Sequence, residues 1–231
     1  TGFASAPASD GLAGAVRRAD EILVLAGFFP RHERAFLVEA VAPEIDPEPR
    51  VHVRHMAERD DVAWENDRVA FRTYGEGLWA LEDLVSSGID VWTKRTRDLV
   101  ADRWYAEGHY HTDTGEGADF FKVGPTLGAG GTAVWRDERL FPAKNFKTHR
   151  IFADGPVRTV FELEYEPWDA GSLTVSEVRR VTMDAGQPFF KLESTFRTEG
   201  DAPVPYAAGL VKRPGLVGAT STAGPWAWVA G

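Results

Sequence analysis

Val160-Phe161-Glu162-Leu163-Glu164-Tyr165-Glu166 sets an apolar side chain at every second position and a glutamate after each of them. Successive side chains of a β-strand point to opposite faces, so this spacing gives one oily face and one acidic face. The same alternation recurs in Phe190-Lys191-Leu192-Glu193-Ser194-Thr195-Phe196, where Phe190, Leu192 and Phe196 share the apolar side. Val69-Ala70-Phe71-Arg72-Thr73-Tyr74, closed by Gly75, is a third example. ILVLAGFF (22–29), AFLVEAV (35–41), VHVRHM (51–56) and SLTVSEVRRVTM (172–183) predict further strands. One short helix is predicted over 78–85, where LWALEDLV has leucines at 78, 81 and 84 and stops before Ser86-Ser87-Gly88. Gly-Pro pairs at 124–125, 155–156 and 224–225, and the GAGG run at 128–131, mark turns. These patterns predict an antiparallel all-β protein, a β-sandwich forming a single domain over 1–231, with 1–57 placed in it on the weakest patterning.

Composition narrows the function classes. The 231 residues contain no cysteine, which removes disulfides, thiolate metal sites and cysteine nucleophiles. A formal charge of −9 argues against a general nucleic-acid or anionic-membrane partner. No apolar run approaches the ~20 residues of a membrane helix, so membrane insertion is not expected. The chain starts at Thr1 with a polar stretch, no signal peptide is visible, and it ends on GPWAWVAG without a polar stop. The native protein is expected to continue past Gly231.

Polar residues concentrate in HYHTDTGEG (109–117). On a strand His109, His111 and Asp113 share a face, Tyr110 and Thr112 point the other way, and Gly115 and Gly117 turn Glu116 back toward them. Three readings stay open. His109, His111 and Glu116 are candidate ligands for a divalent metal ion of unknown identity. His-x-His, four residues and Glu match the first half of the cupin metal motif. The second half is not met, and His149 would be a distant third ligand. In the second reading a histidine moves a proton while its neighbours orient a sugar. In the third the segment is a polar hairpin.

Other clusters could converge on the same place. AWENDR (63–68), preceded by Glu58-Arg59-Asp60-Asp61, offers Trp64 as a wall for a pyranose face and Glu65, Asn66, Asp67 and Arg68 for its hydroxyls. Lys94 and Arg95 can neutralise a carboxylate, and Lys122 and Arg158 are further substrate-binding candidates, with Asn145 and Arg150 nearby in sequence. The glycines of 124–131 lack the order of a phosphate loop, so they predict a close backbone approach and not nucleotide binding.

AWENDR, GIDVWTKR (88–95), HYHTDTGEGADFFKVGPTLGAGG (109–131) and GPVRTVFELEY (155–165), in this order, resemble the domain-of-unknown-function 4861 family over about residues 58–213. The resemblance implies a periplasmic or secreted role in polysaccharide breakdown and a fold similar to the galactose-mutarotase-like supersandwich. It carries no assigned reaction.

The expectation is an enzyme acting on an acidic, uronate-containing poly- or oligosaccharide by β-elimination, working either without a cofactor or with a divalent metal. Elimination needs a cation at the C5 carboxylate, a base for the C5 proton and an acid for the leaving oxygen. Lys94, Arg95 and Arg68 are candidates for the first role, His109 or His111 for the second, and Tyr110 or Tyr105 for the third. A regular strand would hold Tyr110 away from both histidines, so the acid stays open. Hydrolysis by a carboxylate pair from Glu65, Asp67, Asp113 and Glu116, or sugar epimerisation, is the enzymatic alternative. A non-catalytic carbohydrate-binding module, with Trp64, Trp92, Trp104 and Trp135 as its platform, is the alternative of another class.

Overall fold

A computed structural model describes residues 47–200, 203–221 and 226–230, together with the backbone of strands β1 (Gly2–Pro7) and β2 (Glu21–Ala26), which pair antiparallel. The strand expected at 35–41 and the Gly-Pro turn at 224–225 lie outside the described residues. A five-stranded antiparallel sheet follows in chain order: β3 (Val51–Met56), β4 (Asp61–Asn66), β5 (Val69–Tyr74), β6 (Asp90–Lys94) and the short β7 (Gly117–Ala118). A 3-10 turn (Glu76–Ala80) connects β5 to β6, and α1 (Ala101–Glu107) lies between β6 and β7. β8 (Ala129–Arg136) and β9 (Arg139–Phe141) form a three-stranded sheet with β14 (Tyr206–Leu210). β10 (Thr148–Asp154), β11 (Arg158–Asp169), β12 (Thr174–Asp184) and β13 (Phe190–Thr198) form a four-stranded antiparallel sheet, and β15 (Val217–Thr220) pairs with β16 (Ala227–Ala230).

The alternation in 160–166 does what it predicts. Phe161, Leu163 and Tyr165 on β11 are buried, while Glu162 faces outward to Arg180 on β12 and Glu164 receives the Thr148 hydroxyl from β10. A register shift between Tyr165 and Trp168 breaks strict parity, so Trp168 also lands in the core. Across the gap, Val53, Val62, Trp64 and Phe71 of the five-stranded sheet meet Phe161, Leu163, Val181 and Met183 of the four-stranded one. Trp64 lies 5.2 Å from Phe161 and 5.4 Å from Phe190, ring centre to ring centre. The architecture is the antiparallel all-β sandwich that the alternation predicts, and β3 brings residues 51–56 into it.

One inward row of β12 is charged. Arg179 bonds Glu177 at 2.8 Å, the Tyr165 hydroxyl at 2.9 Å, Ser87 O at 2.5 Å and Thr132 O at 3.0 Å. A buried guanidinium with partners on this many sides ties β12, β11, β8 and the chain before β6 together.

The helix expected over 78–85 is shorter. Leu78 is buried, but Asn145 bonds the Leu84 carbonyl and the Ser86 amide and draws the chain out of helical form. The GAGG run holds the expected close approach. Gly128 has φ +63°, and a Cβ there would stand 2.1 Å from Ile89 O.

Phe161→Ala should cost about 3–5 kcal/mol of unfolding free energy in denaturant titration, because it empties the centre between the two sheets. Glu164→Ala, on the outward face of the same strand, should stay within about 0.5 kcal/mol.

Candidate active site

The second face of the five-stranded sheet is also covered, and beneath the aromatic covering it buries charged side chains. β4 is buried at every position, so Asp61, Ala63 and Glu65 line the face opposite Val62, Trp64 and Asn66. Ala70, Arg72 and Tyr74 of β5 and Asp90, Trp92 and Lys94 of β6 continue that face, with Arg72 directly opposite Asp90 in the pairing. Trp92 stacks on Trp104 of α1 and on Tyr110, closing the face.

Arg72 is the centre of this layer. Its guanidinium donates to Asp90 Oδ2 at 2.7 and 3.1 Å, to Asp119 Oδ2 at 3.1 Å and to the Tyr110 hydroxyl at 3.2 Å. Asp61 lies 3.8 Å away and accepts the Tyr105 hydroxyl at 3.1 Å. Three carboxylates share two cations, Arg72 and, 3.7 Å from Asp61, Arg59, which leaves an excess of negative charge. Desolvation, followed by the charge of Asp90, pushes the Asp119 carboxyl up to about 7, with Arg72 pulling it down only in part. Desolvation pushes Asp61 up to about 6 against the opposing pull of Arg72. Burial also holds the Tyr74 and Tyr105 hydroxyls well above the usual tyrosine range.

Asp119 stands at the edge of this cluster beside a cleft of about 550 Å³, whose walls include Arg72, Tyr110, His111, Phe120 and Lys122. His111 Nδ1 hydrogen-bonds the Asp119 main-chain carbonyl at 3.4 Å and lies 3.2 Å from Asp119 Oδ2, and the imidazole is 64% exposed, so Nε2 is left for the cleft. Asp119 Oδ1 is buried without a hydrogen-bond partner among the described residues. Lys122 is exposed on the wall, and Arg213 holds the backbone of that wall by bonding Lys122 O and Val123 O.

The HYHTDTGEG segment is not a strand. α1 ends at Gly108 with φ +72°, and residues 109–116 form turns and bends before β7. The period-two argument therefore fails, and His109, His111 and Asp113 do not share a face. His109 Nδ1 sits 2.9 Å from the carbonyl of Glu107, away from the cleft. Asp113 pairs with Arg95 at 2.5 Å and accepts the Gly115 amide, which holds its carboxyl below the usual range. Glu116 pairs with Arg103 of α1 at 2.6 Å. The triad His109, His111 and Glu116 is thus pulled apart. Among the described residues no group of three or more His, Cys, Asp or Glu is placed to hold a metal ion.

Tyr110 is also relocated, in a useful direction. A turn brings its ring 4.5 Å from that of His111, and both line the same cleft. The geometric conflict between a histidine base and a tyrosine acid holds only for a strand.

The AWENDR residues are structural. Trp64 is 1% exposed and packs between the sheets, so it offers no wall to a sugar. Glu65 accepts the amides of Val100 and Ala101 at the start of α1 and the Lys94 amine at 2.6 Å. Lys94 is therefore sealed inside. Asn66 bonds the carbonyls of Asp184 and Gln187, and Asp67 bonds Arg50 and the Gly186 amide. Arg68 lies on the turn whose amides Asn66 caps, and Arg158 pairs with Asp184 beside a separate small depression. Of the expected module platform, Trp64, Trp92 and Trp104 are buried and Trp135 is exposed.

Of the expected site residues, then, Tyr110, His111 and Lys122 come together, and Arg72, Asp90, Asp119 and Asp61 join them unanticipated. The sequence profile of the domain-of-unknown-function family DUF4861 matches residues 14–230. The chain belongs to this family. It is 39% identical over 189 residues to the Uncharacterized protein P7 of Formosa agariphila, an alignment that covers 76% of this chain and 48% of that protein. The chain thus spans about half the length of that relative. No solved structure matches it.

In this family member, the raised carboxyls fix a direction for stability against pH. A carboxyl whose folded pKa lies above its ordinary value of 3.8 stabilises the fold fully below that value, and the contribution is lost as pH rises through the folded pKa. Asp119 and Asp61 should therefore make the wild type melt at lower temperature at pH 8 than at pH 5. Asp119→Asn should shrink that difference. Equal differences in wild type and variant would show that Asp119 titrates as in water.

Proposed function

We propose that this chain carries the proton-transfer site of an enzyme that acts on a uronate-containing glycan by β-elimination. The observation that supports it is the His111–Asp119 contact at the wall of an open cleft, with Tyr110 beside it. Asp119 orients Nδ1–H of His111, leaving Nε2 to accept the proton on the carbon next to the uronate carboxylate. The Tyr110 hydroxyl, which accepts from Arg72, keeps its own proton to give to the leaving glycosidic oxygen. The C4–O bond breaks as the C4–C5 double bond forms, so one proton is taken and one delivered. Lys122 neutralises the carboxylate, whose charge spreads into the ring as the C5 proton leaves.

Hydrolysis by the expected carboxylate pairs is less well supported. Glu65, Asp67, Asp113 and Glu116 each already hold a basic partner, and Glu65 and Asp67 are buried. The acidic glycan partner and a periplasmic or secreted location remain part of the proposal.

Incubation with pectin, alginate and ulvan-type polysaccharides should raise ultraviolet absorbance from the new double bond, and a flat trace on all of them would exclude elimination. His111→Ala should lower the rate by about 10²–10⁴-fold. The rate should rise with pH through about 7 as Asp119 ionises, a limb that Asp119→Asn should abolish. Lys122→Met should raise KM on the order of tenfold, the loss of one charge-assisted contact.

A further inference from the structure

A second depression, of about 580 Å³, lies on the other side of the 3-10 turn (Glu76–Ala80). The same piece of chain borders both hollows: Tyr74 and Glu82 face the acid–base cleft, while Glu76 and Trp79 face this one. Leu78 is buried and anchors the turn, and Trp79 beside it is 41% exposed. Pro142, Pro167 and the buried Trp168 give the depression an apolar floor. The Trp168 indole N–H is already taken by Phe141 O at 3.1 Å, so that ring offers only its hydrocarbon surface.

The polar lining has a definite sign. Glu76, Glu166 and Asp169 face Lys144 alone. Lys147, outside the lining, bonds Glu76 at 2.9 Å and reaches Glu166 at 3.7 Å, which leaves the surroundings still acidic by one charge. Glu166 and Asp169 are exposed, so their oxygens can accept from ligand hydroxyls. The volume falls in the range of about 300–1,000 Å³ usual for small-ligand sites.

We propose that this depression is a second, non-catalytic sugar-binding site that takes a neutral pyranose unit, with its C–H face on Trp79 and its hydroxyls on Glu166 and Asp169. An aromatic face with carboxylate acceptors at its rim suits a ring that is apolar on one face and ringed by hydroxyls. The remaining excess of one negative charge works against a uronate through like-charge repulsion. The two hollows thus read different parts of one glycan, the acidic unit beside Lys122 and a neutral unit beside Trp79. This rests on the reading of the chain as glycan-binding but not on elimination.

Isothermal titration with neutral tetrasaccharides of the gluco, xylo, manno and galacto series, and with uronate oligomers, tests it. At least one neutral series should bind the wild type. Trp79→Ala should weaken it by about tenfold or more, the size expected for losing one aromatic face. Glu166→Gln should weaken it severalfold. Both positions are exposed, and unchanged melting temperatures will confirm the fold. His111→Ala should bind the neutral series as the wild type does. The proposal is overturned if no neutral series binds, if Trp79→Ala binds like the wild type, or if His111→Ala weakens neutral binding as much as Trp79→Ala. A flat elimination assay alongside Trp79-dependent neutral binding would remove the proposed reaction and leave this site standing.

Discussion

Arg72 is a cation inside the protein, and much of the molecule is arranged around that fact. A guanidinium cannot shed its proton to escape burial, so the fold has to bring counter-charge to it. Asp90 comes from the neighbouring strand by simple pairing, and Asp61 from the strand on the other side. Asp119 and Tyr110 come from the far end of a connection that must fold down over the sheet to reach it. Meeting the needs of Arg72 is therefore what positions the 109–119 segment and what sets His111 at the rim of the cleft. Removing one of the carboxylates would leave the others less crowded, while removing Arg72 would leave Asp90 and Asp119 facing each other in a dry place.

The fold was open to a reader of the sequence wherever one face of a strand meets water. In 160–166 the glutamates mark the outside and the aromatics the inside, and nothing further is needed. β4 defeats the same logic because both its faces are covered: Trp64 beside Glu65, Asn66 and Asp67 looks like a wet aromatic wall, yet every position is buried. The charges there serve the chain itself, capping α1 through Glu65 and holding the 184–187 turn through Asn66 and Asp67.

The site was legible only in part, for related reasons. His111, Tyr110 and Lys122 draw attention as unusual residues close together, although the strand geometry assumed for them was wrong. Gly108 ends a helix whose seven residues give too little periodicity to notice, and that ending is what turns the histidines apart. Arg72, Asp90 and Asp119 are 18 and 29 residues apart in sequence, and each occupies a position where a polar residue normally faces solvent. The available cue was Trp92 between Asp90 and Lys94 on one strand face. A tryptophan flanked that way has to be covered by something, and whatever covers it covers the charges too.

The 109–119 segment is fastened by ion pairs in very different surroundings. In its middle, Arg95 with Asp113 and Arg103 with Glu116 lie in contact with water. Where it closes, the pair of Arg72 with Asp119 does not. Dissolved ions weaken exposed pairs over a Debye length of about 8 Å at physiological strength, but they do not enter a sealed cluster. In a briny medium the exposed pairs weaken while the buried one keeps its strength. Added salt is therefore felt along the middle of the segment and not where Asp119 meets Arg72.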